Sequence, residues 1–272
     1  MRDEGPASGI ALSVTLLTAI PWRSGERAAA APSRKVAGAA MAWAPVVGLL
    51  LGIIASAVLA VADHPLGAGA LTASGLAVGS LALLTRGLHL DGLADLADGL
   101  GSGKPAPAAL DIMRRSDIGA LGAVTLILTL LLQVAALSQA ESAGHGRGPA
   151  ALIAAVVTGR LALTWACRRG VPAARPDGLG ALVAGSVRPA VPAAATVATI
   201  AAAAAAVAGS AAAGEPLGWT LPLAVAAGLA AAFGVQRHAV RRLGGITGDV
   251  LGALAEIATT VTLVVAAMGP PA

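Results

Sequence analysis

A short acidic segment, residues 89–103, is the richest source of potential chemistry in the 272-residue chain. It carries Asp91, Asp95 and Asp98 in otherwise apolar surroundings. If the segment is helical, this spacing places all three carboxylates on one helix face. A hard divalent cation such as Mg²⁺, which prefers oxygen ligands, would offset their mutual repulsion. The alternative interpretation of this segment alone is a solvated acidic turn between two apolar helices.

Glycine and histidine residues surround these aspartates. Gly92 and Gly99 leave room for the close approach of a bulky ligand, and backbone N–H groups at such positions can contact phosphate. His89 is a candidate metal ligand or general base, although a lone histidine more often only makes a hydrogen bond.

A second cluster, residues 111–122, combines two arginines with two carboxylates just before an apolar stretch. Arg114, Ser116 and Asp117 are its candidate site residues, because an arginine fork binds phosphate through two hydrogen bonds. Glycines at the start of the following helix favour an anion site at its N-terminus. The alternative is that the arginines only anchor this helix at the cytoplasmic surface.

A third cluster crowds four glycines around a threonine and an aspartate at the start of the last apolar stretch. Its candidate substrate-binding residues are Arg242, Gly244, Gly245, Thr247 and Gly248. Asp249 adds a carboxylate, and it shares a helix face with Glu256, seven residues later.

Glu256 and Arg160 are charged residues inside apolar stretches. A charge at this depth of a membrane is costly unless it is paired or binds a ligand. Glu256 therefore either pairs with a residue such as Arg160 or serves as a metal ligand. Arg160 is expected to face the bundle interior and to meet a carboxylate or a phosphate.

The composition is that of an integral membrane protein. The chain is 57% hydrophobic and 12% charged, with a mean hydropathy of +0.81, whereas soluble domains carry roughly 25% charged residues. Alanine and glycine dominate, so the helices are expected to pack through small residues. The single cysteine excludes an internal disulfide. The net charge of +4 is better explained by membrane topology than by nucleic-acid binding.

The hydropathy pattern predicts an all-α, polytopic bundle that forms one domain over residues 1–272. The N-terminal segment, residues 1–35, contains an apolar run at 10–20 that is too short to span a bilayer, and we expect it to form an interfacial or re-entrant helix. Seven spans follow, at residues 36–62, 66–85, 118–137, 149–166, 190–213, 217–235 and 250–268.

Basic residues are distributed very unevenly about these seven spans. Nearly all Lys and Arg residues fall on one side, whereas the other side has only Arg147. The positive-inside rule then places the N-terminus in the cytoplasm and the C-terminus outside. All three clusters fall at the cytoplasmic ends of the spans. Carboxylates that bind Mg²⁺ beside arginines that bind phosphate are typical of enzymes that catalyse phosphoryl transfer. A transporter more often places its charged residues near the membrane midplane.

The motifs also resemble a known family. The resemblance rests on His89-Leu90-Asp91-Gly92-Leu93-Ala94-Asp95 with Asp98-Gly99, on Ile112-Met113-Arg114, and on Gly244-Gly245-x-Thr247-Gly248-Asp249 with Glu256. In this order they resemble the cobalamin synthases, the adenosylcobinamide-GDP ribazoletransferases of the bacterial inner membrane. One departure is that Arg114-Arg115-Ser116-Asp117 exchanges the acidic and basic positions of the family pattern.

The resemblance implies a Mg²⁺-dependent joining reaction, the last step in assembling the cobamide nucleotide loop. A ribose hydroxyl of α-ribazole, or of its 5′-phosphate, attacks the phosphate on the cobinamide arm, and GMP leaves. Asp91, Asp95 and Asp98 would hold the metal, with Glu256 as a further ligand. Arg114, Arg160 and Arg242 would hold phosphate oxygens, and Asp249 or His89 would accept the hydroxyl proton. Homo-oligomers or association with other cobamide-assembly enzymes are further expectations.

Two other functions remain open at this stage. CDP-alcohol phosphotransferases also place spaced aspartates at cytoplasmic helix ends, but their motif has arginine where Asp95 follows Ala94 here. A non-catalytic transporter for a cobamide precursor is the other alternative.

Overall fold

The computed structural model describes residues 6–20, 32–144, 146–213, 217 and 219–268. Within them the chain is helical, and the described part contains no β-strand. The helices are α1 (Pro6–Leu17), α2 (Arg34–Asp63), α3 (Ala70–Leu84), α4 (Leu88–Gly101), α5 (Ala106–Ile112), α6 (Ala120–Ser142), α7 (Arg147–Ala166), α8 (Gly178–Val183), α9 (Ala190–Ala212), α10 (Thr220–Leu243) and α11 (Gly248–Ala267). The predicted all-α architecture is confirmed.

Among the described residues, six helices are long and apolar enough to cross a membrane: α2, α6, α7, α9, α10 and α11. They correspond to six of the seven predicted spans. The remaining predicted span, residues 66–85, is the shorter helix α3, which has 15 residues. It meets α4 at an angle of 88°, because Arg86 and Gly87 adopt left-handed conformations that end the helix.

Contacts at the helix ends show that α3 nevertheless returns the chain across the bundle. His64, which follows α2, lies 4.0 Å from Glu141 near the end of α6, so α2 and α6 run in the same direction. At the far end of α3, the carbonyl of Leu84 accepts a hydrogen bond from the backbone of Ala19, just after α1. The described part of the chain therefore makes up to seven passages, and α4 lies beyond the spans at the end of the bundle where α2 begins.

Helices α7 and α11 form the centre of the bundle. Both pack against α10 and α6, and α7 also packs against α2. Their contact depends on small residues, since a Cβ atom at Gly159 would lie 2.7 Å from the carbonyl oxygen of Ala255. Helix α9 packs at the periphery against α7 and α10. Close packing through small residues is the arrangement that the composition predicts.

The N-terminal helix packs along α2. It begins four residues before the predicted run at 10–20 and ends three residues before that run does. A Cβ atom at Gly9 would lie 2.7 Å from the Cβ of Ala39, so glycine permits this close contact. The predicted basic residues Arg2, Arg23 and Arg27 lie outside the described residues.

Candidate active site

A cavity of about 460 Å³ opens at the end of the bundle where α2 and α11 begin. Helix α4 contributes His89 and Asp91 to its wall, and the start of α11 contributes Asp249. The segment between α7 and α9 closes another side with residues that include Arg175 and Asp177. Residues far apart in the chain therefore meet here, and the cavity combines carboxylates, an imidazole and guanidinium groups.

Two glycines allow α4 and α11 to meet beside this cavity. A Cβ atom at Gly92 would lie 2.7 Å from the carbonyl oxygen of Asp249, and one at Gly252 would lie 3.1 Å from that of His89. The contact at Gly92 is too short for any Cβ atom unless the backbone shifts, and the one at Gly252 is tighter than most Cβ contacts. Gly92, predicted to bind substrate, therefore brings the carboxylates of the two helices together.

The carboxylates of α4 and α11 form one electrostatic group. Burial raises the pKa of the Asp95 carboxyl, repulsion from Asp91, Asp249 and Asp98 adds to the rise and Arg175 opposes it, and together they bring this pKa to about 7. This interdependence requires the four carboxylates to lie near one another. Several oxygen donors at the end of a helical bundle are a donor set that suits Mg²⁺.

Asp98 is engaged differently from Asp91 and Asp95. Its Oδ2 accepts a hydrogen bond from the backbone N–H of Gly119 at 2.7 Å, and its Oδ1 accepts one from Gly122 at 2.9 Å. These N–H groups belong to the unsatisfied first turn of α6. The anion at this helix N-terminus is thus the carboxylate of Asp98. The role of Asp98 as a metal ligand stays a prediction.

Thr247 and Asp249 are ordered by the start of α11. The Thr247 hydroxyl caps the helix by accepting a hydrogen bond from the N–H of Val250 at 3.2 Å. The same hydroxyl donates to Oδ2 of Asp249 at 3.1 Å. Both residues line the cavity, as does Gly248. The third sequence cluster therefore contributes directly to the site.

Arg114 also reaches the cavity. Its Nη2 donates to both carboxylate oxygens of Asp177, at 2.9 and 3.1 Å. Both side chains are largely exposed, so this ion pair contributes little to stability. Substrate phosphate could replace the Asp177 carboxylate at the mouth of the cavity.

His89, Arg160 and Glu256 form a buried polar group. His89 is 2% exposed, and neither of its ring nitrogens has a hydrogen-bond partner among the described residues. Burial lowers the pKa of His89 well below its usual value, and the nearby Arg160 guanidinium lowers it further. The imidazole is therefore neutral at physiological pH.

Glu256 and Arg160 lie deeper than the cavity lining. The Glu256 carboxylate accepts a hydrogen bond from Nε2 of Gln133 at 2.8 Å and interacts electrostatically with Arg160. The choice that the sequence left open for Glu256, between pairing with Arg160 and metal binding, stays open. Arg160 is 2% exposed and so lies in the bundle interior, as expected from its position in the membrane.

The remaining predicted site residues lie outside the cavity lining. Ser116 and Asp117 are exposed in the turn between α5 and α6. Arg242 is exposed and donates to the carbonyl of Lys104 at 3.3 Å. Three glycines have structural positions: Gly99 packs against Met113, Gly244 ends α10 in a left-handed conformation, and Gly245 packs against the backbone of residues 173–174.

Sequence reasoning missed the segment between α7 and α9. It predicts only a polar loop there, yet this loop supplies Arg175 and Asp177 to the cavity. Hydrogen bonds from Ala174 to Ile246 and from Ile246 to Pro172 attach the loop to the third cluster. Because arginines are spread evenly over several loops, the sequence does not indicate that Arg175 is the one that lines the cavity.

Another group of ionisable residues lies at the opposite end of the bundle. Potential ligand atoms of Asp63, His64 and Glu141 all lie within 4.8 Å of one another. They lie at the C-terminal ends of α2 and α6, so the length of the spans separates them from the cavity. They are not part of the candidate active site.

Comparison with known proteins agrees with this arrangement. The chain matches the family described as cobalamin-5-phosphate synthase over residues 9–267. The chain belongs to the cobalamin-5-phosphate synthase family. The matched region includes every element that lines the cavity, so the candidate active site lies wholly within the part that defines these synthases.

Several relatives of this synthase are named adenosylcobinamide-GDP ribazoletransferase. The relative from Frankia casuarinae is 48% identical, over 94% of this chain and 93% of its own. Those from Nocardioides sp. and Bradyrhizobium diazoefficiens are 36% and 38% identical, each over more than nine-tenths of both chains. No solved structure matches the chain.

Proposed function

We propose that this protein is a membrane-bound adenosylcobinamide-GDP ribazoletransferase. Its substrates are adenosylcobinamide-GDP and α-ribazole or α-ribazole 5′-phosphate, and its products are adenosylcobalamin or the corresponding 5′-phosphate and GMP. The observation that carries this proposal is the convergence of Asp91 and Asp249 beside two arginines in one cavity, with Asp95 electrostatically coupled to both carboxylates. Family membership and the names of the relatives agree with it.

The reaction breaks the phosphoanhydride bond of the donor and forms a phosphodiester bond. A ribose hydroxyl oxygen bonds to the phosphorus that carries the cobinamide arm, and the bond from that phosphorus to the oxygen of GMP breaks. The hydroxyl proton must be removed as the new bond forms. We assign its removal to His89, because this neutral imidazole lines the cavity and its ring nitrogens have no other partner among the described residues.

The carboxylates of Asp91, Asp95 and Asp249 would hold Mg²⁺. A bound Mg²⁺ supplies charge neutralisation for phosphate groups. The side chain of Arg114 would leave Asp177 to contact a phosphate oxygen through its bidentate fork. Asp98 and Glu256 support the site from outside, since they bind the start of α6 and Gln133, respectively.

The proposed location is the bacterial inner membrane, with the cavity facing the cytoplasm. The strong bias of Lys and Arg toward the cavity end of the bundle supports this orientation. The N-terminus then lies in the cytoplasm. The predicted homo-oligomer and the predicted association with other cobamide-assembly enzymes stay predictions.

The test uses purified protein in detergent with adenosylcobinamide-GDP and α-ribazole, with and without Mg²⁺. GMP and the corrinoid product are followed by chromatography. The expected result is Mg²⁺-dependent GMP release, matched one-to-one by cobalamin. Folded protein that gives no turnover would overturn the proposal, and uptake of corrinoid into vesicles without GMP release would favour the transporter instead.

A further inference from the structure

Arg175 is held in a fixed position beside the carboxylates. The backbone of the preceding residues pairs with the third cluster, through Ala174 N–H to the Ile246 carbonyl at 3.0 Å and Ile246 N–H to the Pro172 carbonyl at 2.9 Å. Gly245 makes this pairing possible, because any Cβ there would collide with the backbone of the loop. The loop therefore directs Arg175 toward the start of α11.

The guanidinium of Arg175 has unused hydrogen-bonding capacity. An arginine carries five N–H donors. Nη2 of Arg175 donates to the Leu110 carbonyl at 2.5 Å, whereas its Nε is buried with no partner among the described residues. Nη1 lies 3.9 Å from Oδ2 of Asp249, which is an ion pair but too long for a hydrogen bond.

A buried cation whose N–H donors lack acceptors is energetically costly unless a ligand accepts the missing hydrogen bonds. Arg175 is 16% exposed and lines the cavity between Asp249 and Asp177. Arg114 differs from it, because both oxygens of an exposed carboxylate already satisfy its Nη2. The environment of Arg175 thus fits an anion that enters the cavity near the carboxylates.

We propose that Arg175 binds the diphosphate of the nucleotide-linked donor and so determines the affinity for that substrate. This assignment rests on the proposed function, and it concerns the donor alone. The competing role is purely internal, in which Arg175 only balances the charge of Asp249 and Asp95. The two roles differ in what happens to donor affinity when Mg²⁺ is saturating.

Arg175→Gln removes the charge and the fork while keeping a polar side chain. We expect the KM for adenosylcobinamide-GDP at saturating Mg²⁺ to rise about ten- to hundredfold, with the KM for α-ribazole unchanged. Arg175→Lys keeps the charge without the fork, so its KM for adenosylcobinamide-GDP should lie between the values of the wild type and Arg175→Gln. Arg237→Gln is the matched control, because Arg237 is exposed on α10 and outside the cavity.

Equilibrium binding of the donor to protein in nanodiscs, without α-ribazole and at saturating Mg²⁺, gives a readout independent of turnover. Weaker binding by Arg175→Gln but not by Arg237→Gln supports the proposal. Unchanged donor affinity in both assays, with only the Mg²⁺ requirement altered, would overturn it. If the wild type binds donor but releases no GMP, the proposed function fails, and the binding comparison still decides the role of Arg175.

Discussion

At the scale of single residues, the acidic segment contains aspartates with two distinct roles. Asp91 faces the cavity, whereas Asp98 binds two backbone N–H groups of α6. We expect Asp91→Asn to lower the rate of GMP release at least about hundredfold without loss of thermal stability, because it removes a repelled charge and no hydrogen bond. Asp111→Asn, at an exposed position on α5, is the control. Full activity with an unchanged Mg²⁺ requirement in Asp91→Asn would remove Asp91 from the metal site.

His89 allows a separate test of proton removal. We expect His89→Gln to lower kcat by about 10²- to 10⁴-fold, the usual contribution of a general base. The KM for the donor should change little, because His89 is assigned to the acceptor hydroxyl. Steady-state kinetics with each substrate varied will separate the two parameters. An equal loss in donor affinity would instead indicate a role in binding the donor.

At the scale of helices, Asp98 is expected to matter for stability. Asp98→Ala leaves two N–H groups of α6 without their acceptor, at a cost of roughly 1–3 kcal/mol. A lower melting temperature in detergent, together with partial recovery in Asp98→Asn, would fit this capping role. The control is Asp111→Ala, since Asp111 is exposed on a short neighbouring helix. An Asp98→Ala protein of full stability would contradict the capping role and favour the role of Asp98 as a metal ligand.

The contact of α4 with α11 gives a second prediction at this scale. A methyl group at position 92 would meet the backbone of Asp249, so Gly92→Ala must push the two helices apart. A shift of about 1 Å in catalytic groups can cost on the order of 10² in rate. We expect that loss in GMP release, whereas Gly79→Ala in α3, where a Cβ meets nothing within 4 Å, should remain active. Equal activity of the two variants would show that the helices adjust.

At the scale of the whole molecule, hydropathy and charge were sufficient to predict seven passages and the clustering of site residues at one end. They could not predict that the chain would turn by 88° between α3 and α4, because that turn depends on left-handed backbone at Arg86 and Gly87. Nor could they reveal Arg175, whose inward position depends on hydrogen bonds to a segment about 70 residues away. Local pattern identifies residues on one helix, whereas pairing between distant loops is a tertiary property.

The orientation of the bundle can be tested with cysteine labelling. The single native cysteine, Cys167, is fully buried, so an introduced thiol is the reactive one. Ser116 and Ser142 are exposed and lie at opposite ends of α6. The proposed topology predicts that a membrane-impermeant maleimide labels Ser142→Cys in intact spheroplasts but labels Ser116→Cys only after the membrane is opened. The reverse pattern would place the cavity outside the cell, where the positive-inside bias and the proposed use of a nucleotide-linked donor would both be left without explanation.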